Sequence, residues 1–166
     1  AAKLSIVVAG DGRAIDRAQP LFDVLGQQTS RLGDEPYKAN VAKIAGNLMV
    51  AAAIEAIGEA AALVRSFGIP AAEVLPIVTK ALFDVPVYRG YAEHIASGVY
   101  EPPGFDLVLG LKDVRLALAA GEKKNVPLPF ASVLRDSFLD AIAHGDANKD
   151  WAAIAKVAAR RAGLED

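Results

Sequence analysis

The stretch KANVAKIAGNLMVAAAIEAIGEAAALVRSF, residues 38–67, decides the fold of this 166-residue chain. It contains no proline, and alanine, leucine, isoleucine and valine dominate it, so it predicts one helix of well above average length. The sequence Phe67-Gly-Ile-Pro70 follows, with a glycine able to adopt positive φ and then a proline that cannot continue a helix. The chain is therefore expected to contain a long, mostly apolar helix that ends near residue 67.

Three polar side chains stand at the start of one face of this helix. Lys43 and Asn47 are one turn apart, and Asn40 lies one turn before Lys43. Because a buried ammonium group is seldom kept without a partner or a task, Lys43 and Asn47 are candidates for a catalytic pair, with a solvated pair as the alternative. A desolvated lysine is a usable proton donor near neutral pH, and a neighbouring amide can orient a hydroxyl or carboxylate. From Asn47 the same face continues through Val50, Ala51, Ile54, Gly58 and Ala61.

A second patch lies in GFDLVLGLKD, residues 104–113. Helical spacing puts Phe105, Leu109, Lys112 and Leu116 on one face, with Asp113 about 100° away around the helix. Here too a lysine interrupts an apolar face, which suggests a second part of a site. The alternative is a lysine whose stem covers core residues while its ammonium reaches water.

Together the two patches resemble the C-terminal helical domain of the β-hydroxyacid dehydrogenase family, within the 6-phosphogluconate dehydrogenase superfamily. This family includes 3-hydroxyisobutyrate dehydrogenase, tartronate semialdehyde reductase and glyoxylate/succinic semialdehyde reductases. The resemblance rests on a lysine with an asparagine four residues on, then Gly-Phe, a leucine and Lys-Asp near a Leu-Ala-Leu run. Further similar stretches are residues 53–59, 126–129 and 145–151.

The resemblance implies a mainly α fold, a helical bundle like the 6-phosphogluconate dehydrogenase C-terminal domain with a long interdomain helix. It also implies NAD or NADP as the cofactor of the intact enzyme, and a small hydroxy acid or aldehyde-acid as the substrate. Lys43 would be the catalytic acid/base and Asn47 its substrate-orienting neighbour. A cation close to the carbonyl oxygen would stabilise the alkoxide that builds up in the transition state. The other implied site residues are Lys112 and Phe105 for the cofactor, and Asp113 and Asn40 for the substrate pocket.

The sequence departs from the family pattern at three positions beside the candidate pair. Much of the family has glycines four and six residues before the lysine, where this chain has Ala39 and Tyr37. The family's asparagine just before the orienting asparagine is replaced by Gly46. These changes put in doubt any transfer of the family's usual substrate contacts to this chain.

The N-terminal segment predicts a short buried strand at residues 4–9, an amphipathic helix at 14–25 and a strand at 28–32. These elements look like the end of a Rossmann domain, so we expect residues 1–33 to be a nucleotide-domain remnant and 34–166 an all-helical substrate and dimerisation domain. Gly10-Asp-Gly12 lacks the third glycine of a dinucleotide fingerprint, because Ile15 stands in its place, and it predicts a turn. The chain is therefore expected to be a fragment that is inactive by itself.

Composition favours a soluble, mostly helical protein. The chain is 53% hydrophobic, has a net charge of −2 and contains no cysteine. Disulfides are thus excluded, nucleic acid and membranes are not expected partners, and a cytoplasmic location is compatible. His94 and His144 stand singly, and Glu55 with Glu59 lacks a histidine or cysteine cluster, so no metal site is expected.

Five more helices are predicted after the long one. The hydrophobic content of the chain, with the long helix apolar on more than one side, suggests a homodimer formed through the helical domain. Pro76 is expected to kink or divide the first of these helices. Two rival functions remain: an imine reductase of the same superfamily, against which Lys43 argues, and a non-enzymatic helical dimerisation module. The predicted helices span residues 71–82, 87–97, 105–124, 130–144 and 151–162.

Overall fold

The protein is described by a computed structural model that covers residues 3–164. Its internal contacts group the chain into two compact units, residues 1–46 and 47–166, so the division falls within the long helix. The domain boundary expected near residue 33 stays a prediction. The elements are β1 (Leu4–Val8), α1 (Gly12–Leu25), β2 (Gly26–Arg31), α2 (Tyr37–Ser66), α3 (Ala71–Leu82), α4 (Pro86–Ser97), α5 (Leu107–Lys123), α6 (Pro129–Ala143), a 3₁₀ turn (Trp151–Ile154) and α7 (Ala155–Arg161).

In the first unit, the predicted strand, helix and strand are confirmed. β1 and β2 pair in parallel, and α1 connects them. Gly10-Asp-Gly12 leads into α1, which begins at Gly12. Asp11 is the N-cap of this helix, and its side chain accepts a hydrogen bond from the Ala14 N–H at 2.9 Å. The expectation that β1 is buried is wrong: Leu4 and Val7 are exposed, since a two-stranded sheet and one helix are too small to cover both faces.

The second unit is helical, as predicted. α3 packs against α4 and α5 against α6, while the 3₁₀ turn touches α4, α5 and α6. The core is built from residues of all the helices α2 to α7 and of the 3₁₀ turn. α3 has the predicted bounds and runs on through Pro76 without a division. The largest buried core side chains are Phe138, Ile54, Leu107, Leu134, Ile154, Val114 and Val157.

The long helix α2 matches the predicted range to within one residue at each end. By length and composition it could cross a membrane, with a mean hydropathy of 1.6 over an 18-residue window. Core helices of soluble proteins satisfy the same criterion, and 44% of that window is buried, with residues between 51 and 62 in the core of the second unit. This is weak evidence for a membrane span, and the expected absence of a membrane partner stays a prediction.

α2 and α7 approach closely where Gly58 faces Ala155. A Cβ atom at Gly58 would lie 2.7 Å from the Ala155 Cα, a backbone atom that cannot move aside cheaply. We therefore expect Gly58→Ala to lower the free energy of unfolding by about 1–3 kcal/mol. Gly90→Ala on α4 is the control: a Cβ there meets nothing within 4 Å, and the change should raise stability by up to about 1 kcal/mol. Urea unfolding measures both, and a Gly58→Ala protein as stable as the Gly90→Ala protein would contradict this contact.

Candidate functional site

The candidate residues on α2 differ in burial. Asn40 and Lys43 are exposed, whereas Asn47, one turn further on, is half-buried. The expectation that Lys43 interrupts a buried face is therefore wrong in this structure. The face becomes buried only further along the helix, at Ala51 and Ile54, where α2 contributes to the core of the second unit.

Asn47 and Asp113 are brought together from positions 66 residues apart in sequence. The Asn47 side-chain amide donates a hydrogen bond to Oδ2 of Asp113, on α5. The Asp113 side chain is only 3% exposed, and its other oxygen, Oδ1, lies 2.8 Å from the Lys112 ammonium. The Lys112 side chain is itself 55% exposed. One buried carboxylate thus holds an amide on one oxygen and an outward-facing cation on the other.

The buried face of α5 is not the one that the sequence pattern indicated. Phe105 precedes the helix, and Leu109 and Leu116 are exposed along with Lys112. The face rotated by about one residue is buried instead. Its members are Leu107, Gly110, Leu111, Asp113, Val114, Ala117 and Gly121.

Gly110 explains this orientation of α5. A Cβ atom at Gly110 would lie 2.7 Å from Cε1 of Phe138 and 2.9 Å from Cε3 of Trp151, so only a glycine lets these two rings approach the helix. Both faces of α5 are apolar in sequence, and periodicity alone could not choose between them. The large aromatic rings pack against the glycine, and this turns Asp113 inward.

Phe105 lies in the segment that leads into α5. Its ring meets that of Trp151 edge to face, with the ring centroids 4.8 Å apart. Its backbone N–H donates to Oδ2 of Asp150 at 3.1 Å, and the Gly104 N–H donates to the same oxygen at 2.9 Å. Asp150 is buried and also caps the 3₁₀ turn through the Ala152 N–H. Asp150 could have been found from the sequence, because aspartate is a favoured N-cap residue and it stands directly before the turn.

Glu55 is a further buried carboxylate, which the sequence suggested only as half of a pair with Glu59. Its side chain is 4% exposed, and its Oε1 accepts a hydrogen bond of 2.7 Å from the Ser137 hydroxyl on α6. Among the described residues its Oε2 atom has no hydrogen-bond partner. Burial raises the pKa of Glu55 above its ordinary value; the Ser137 hydrogen bond opposes this shift, and the charge of Glu59 adds to it.

The two isolated histidines, His94 and His144, are exposed. His94 lies within 3.1 Å of the Val99 carbonyl oxygen, and His144 lies 3.0 Å from Asp140. No group of three or more His, Cys, Asp or Glu side chains able to hold a metal ion occurs within residues 3–164.

The hydrogen-bond donors around Asp113 suit the nicotinamide end of a dinucleotide cofactor. The outward-facing ammonium of Lys112 and the amide of Asn47, both held by Asp113, can bind carboxamide, hydroxyl or carboxylate groups. Gly10-Asp-Gly12 begins a helix without the fingerprint that a dinucleotide pyrophosphate requires. The described residues therefore fit the nicotinamide end of such a cofactor.

Comparison with known proteins defines the class of this fold and cluster. Residues 38–158 match the family described as "NAD-binding of NADP-dependent 3-hydroxyisobutyrate dehydrogenase". The chain belongs to this family, and the resemblance to β-hydroxyacid dehydrogenases, the helical fold and the cofactor class, NAD or NADP, are thereby confirmed.

Individual relatives agree with this assignment. The chain is 39% identical over 155 residues to an uncharacterized oxidoreductase, YfjR, of Bacillus subtilis (strain 168), covering 93% of this chain and 54% of the relative. It is 30% identical over 152 residues to glyoxylate/succinic semialdehyde reductase 1 of Arabidopsis thaliana, covering 92% of this chain and 52% of the relative. The crystal structure of 3-hydroxyisobutyrate dehydrogenase (ygbJ) from Salmonella typhimurium superposes with a TM-score of 0.83 at 28% identity, covering 90% of this chain and 52% of that one. The chain thus spans about half the length of the curated relatives it matches.

Proposed function

We propose that the intact protein is an NAD(P)-dependent β-hydroxyacid dehydrogenase or semialdehyde reductase. It transfers a hydride between the nicotinamide cofactor and a small β-hydroxyacid or aldehyde-acid. The observation that carries the proposal is the buried Asp113 carboxylate, which binds Asn47 on one oxygen and Lys112 on the other. Membership of the family and the similarity to a semialdehyde reductase support the same reaction class.

In this proposal Asp113 positions two side chains that touch the ligands. Its hydrogen bond from the Asn47 amide nitrogen fixes the amide plane, so the Asn47 carbonyl oxygen and its second N–H are available to a substrate hydroxyl or carboxylate. Its ion pair with Lys112 restricts an otherwise mobile ammonium group, which would lie against the cofactor. Phe105 would flank the cofactor, and Asn40 would contribute to the substrate pocket.

Lys43 is proposed to give or take the proton on the substrate oxygen. It precedes Asn47 by four residues on the continuous helix α2, a spacing that puts both residues on the same side of that helix. The cofactor, when bound, supplies or accepts the hydride. The lysine would then stabilise the negative charge that develops on the oxygen.

We further propose that the enzyme is a cytoplasmic homodimer formed through the helical domain. Several large apolar side chains of the second unit are solvent-exposed. Scattered single residues of this kind are normal on a protein surface, but this number of them favours an interaction surface. A second copy of the chain would cover such a surface. The most exposed of these side chains are Phe67, Met49, Leu82, Ile77 and Leu63.

The role of Asp113 can be tested in the intact enzyme. We expect Asp113→Ala to lower kcat/KM by about 10- to 100-fold, because Asn47 and Lys112 lose their common anchor and small displacements of positioning groups have large effects. Asp113→Asn retains an oxygen acceptor for Asn47 but not the charge beside Lys112. It should therefore restore kcat more than it restores the KM for the cofactor.

Steady-state kinetics with circular dichroism to verify folding would measure these effects. Asp136→Ala is the matched control, since Asp136 is exposed on α6 and pairs with the neighbouring Arg135. If Asp113→Ala has the kinetic constants of the Asp136→Ala protein, Asp113 does not position the site.

A further inference from the structure

A cleft of about 340 Å³ lies in the second unit between α2 and α7. Its volume is at the small end of the range that is typical of small-molecule sites. Two carboxylates, Glu55 and Glu59, line it together with small and apolar residues of both helices. The lining does not include Asn47, Lys112 or Asp113, so the cleft is not part of the cluster described above.

Glu55 supplies this cleft with a buried hydrogen-bond acceptor that lacks a donor. The residue is 4% exposed, and the Ser137 hydroxyl donates to its Oε1 at 2.7 Å. Its Oε2 has no hydrogen-bond partner within residues 3–164. Glu55 lines the cleft and Ser137 does not, so Oε2 is the oxygen that a group in the cleft can meet. Buried acceptors without a partner are uncommon in folded proteins, and a bound donor would account for this one.

The charges around the cleft leave Glu55 without a hydrogen-bonded counterion. Glu59, one turn further along α2, is exposed and adds a second carboxylate to the lining. Arg161 also lines the cleft, but its guanidinium lies 3.3 Å from Oδ2 of Asp140 on α6. Asp140 is shared in turn with Arg160, at 2.9 Å. The cleft therefore presents two carboxylates, and the guanidinium in its lining is directed to a third carboxylate outside it.

The direction of the pKa shift of Glu55 agrees with this arrangement. Burial raises the pKa above its ordinary value, and the charge of Glu59 raises it further. The hydrogen bond from Ser137 and the positive charge of Arg161 act in the opposite direction without cancelling the rise. The charged form of Glu55 is thus incompletely stabilised by its surroundings. A cation that donates a hydrogen bond to Oε2 would supply the missing stabilisation.

We propose that the cleft binds a small organic cation that carries a primary ammonium group on a short apolar chain. The ammonium has three N–H donors on one charged atom, so it can donate to Oε2 of Glu55 and also meet the carboxylate of Glu59. The apolar chain would lie against Ala62, Leu63 and Ala158. The proposal stands apart from the dehydrogenase function, because none of these residues takes part in that site.

The proposal can be tested by titrating the chain with butylammonium chloride. Tetramethylammonium chloride is the control, because that cation carries the same charge but has no N–H donor. Two-dimensional NMR of backbone amides would follow both titrations at a constant ionic strength. We expect saturable binding of butylammonium, with shifts that include Ala62, Ser66 and Ala158, and no saturable binding of tetramethylammonium. Butylammonium shifts that do not saturate, that lie away from the cleft, or that tetramethylammonium reproduces would overturn the proposal.

Glu55→Gln is the informative variant, because it keeps the side-chain volume and an acceptor for Ser137 but loses the charge. It should weaken butylammonium binding by about tenfold or more. Glu59→Gln changes an exposed residue, so it should leave folding intact, and it should weaken binding by about two- to fivefold. Glu73→Gln, at an exposed glutamate of α3, is the matched control and should bind as the original protein does. A Glu55→Gln protein that is folded by circular dichroism and binds as tightly as Glu73→Gln would show that the ammonium does not bind Glu55.

Discussion

If the proposed function holds, replacing Lys43 with alanine in the intact protein lowers kcat by about 10²- to 10⁴-fold, the usual contribution of a positioned acid/base group. Cofactor affinity should remain, because Lys43 acts on the substrate oxygen. The exposure of Lys43 in this structure fits a group that must meet a substrate. Steady-state kinetics and a cofactor titration of the same variant separate the two effects.

Two further variants make this test specific. Lys43→Arg should rescue turnover poorly, since a guanidinium keeps its charge but does not release its proton. Lys38→Ala removes another exposed lysine from the first turn of the same helix and should leave kcat nearly unchanged. If Lys43→Ala turns over like Lys38→Ala, the proposed role of Lys43 as the acid/base is wrong.

The Asp146→Asn substitution is expected to lower the free energy of unfolding by about 2–3 kcal/mol. The buried carboxylate accepts contacts from Lys149, Lys156 and Arg160, and its neutral replacement would deprive all three half-buried cations of this shared negative charge, although Arg160 keeps its ion pair with Asp140. Breaking a fully buried ion pair costs about 3–5 kcal/mol, and partial exposure of the three cations reduces this figure. Thermal and urea unfolding at neutral pH would measure the loss. Asp136→Asn, an exposed aspartate paired with Arg135, is the control and should change stability by less than about 1 kcal/mol.

The pH dependence of this effect has a definite sign. Burial alone would raise the pKa of Asp146, but hydrogen bonds from Lys149 and Lys156 outweigh it, and the pKa is held below its ordinary value. A group whose pKa is lower in the folded state stabilises the fold above its unfolded-state pKa, about 4, and this stability is lost as the pH falls through the folded-state pKa. The difference in stability between the original protein and Asp146→Asn should therefore shrink in acid below about pH 4. A difference that stays constant down to pH 2 would argue against the ion cluster.

Glu55 contributes to the pH profile in the opposite direction. Its pKa is raised in the folded state, so the stability it contributes is fully present below its unfolded-state pKa and is lost as the pH rises through the folded-state value. Both proteins in the Asp146 comparison contain Glu55. Its contribution therefore cancels when the two are compared at each pH.

The sequence predicted the helix ends well and the helix orientations less well. α3 has the expected bounds because Gly68 and Pro70 stop one helix and start the next, which is a local effect. The inward face of α5 was predicted wrongly, because it depends on rings of Phe138 and Trp151 that approach Gly110 from distant parts of the chain. The spacing of apolar residues does not show which of two apolar faces carries the glycine against which distant aromatic rings can pack.

The candidate site shows the same difference between features that a local pattern predicts and contacts between distant parts of the chain. Asn47, Lys112 and Asp113 were expected together from a family resemblance, and the structure brings these three together. The partner of Glu55, Ser137, is 82 residues away in sequence, so no local pattern could indicate that this glutamate is buried and hydrogen-bonded. That Lys43, Asn40 and Phe105 belong to the same site as these three residues stays a prediction.

The buried Trp151 gives this protein a built-in optical reporter. It is the single tryptophan of the chain, it is 4% exposed, and its indole N–H donates to the Tyr91 hydroxyl at 2.7 Å. Its ring also touches Phe105, so its fluorescence emission depends on the segment before α5. Tryptophan emission shifts to longer wavelength when the indole meets water, and it will therefore report the loosening of this one junction in the second unit. The first unit contributes no tryptophan signal, so a melt followed by emission and one followed by circular dichroism can be compared to learn whether the two units unfold together.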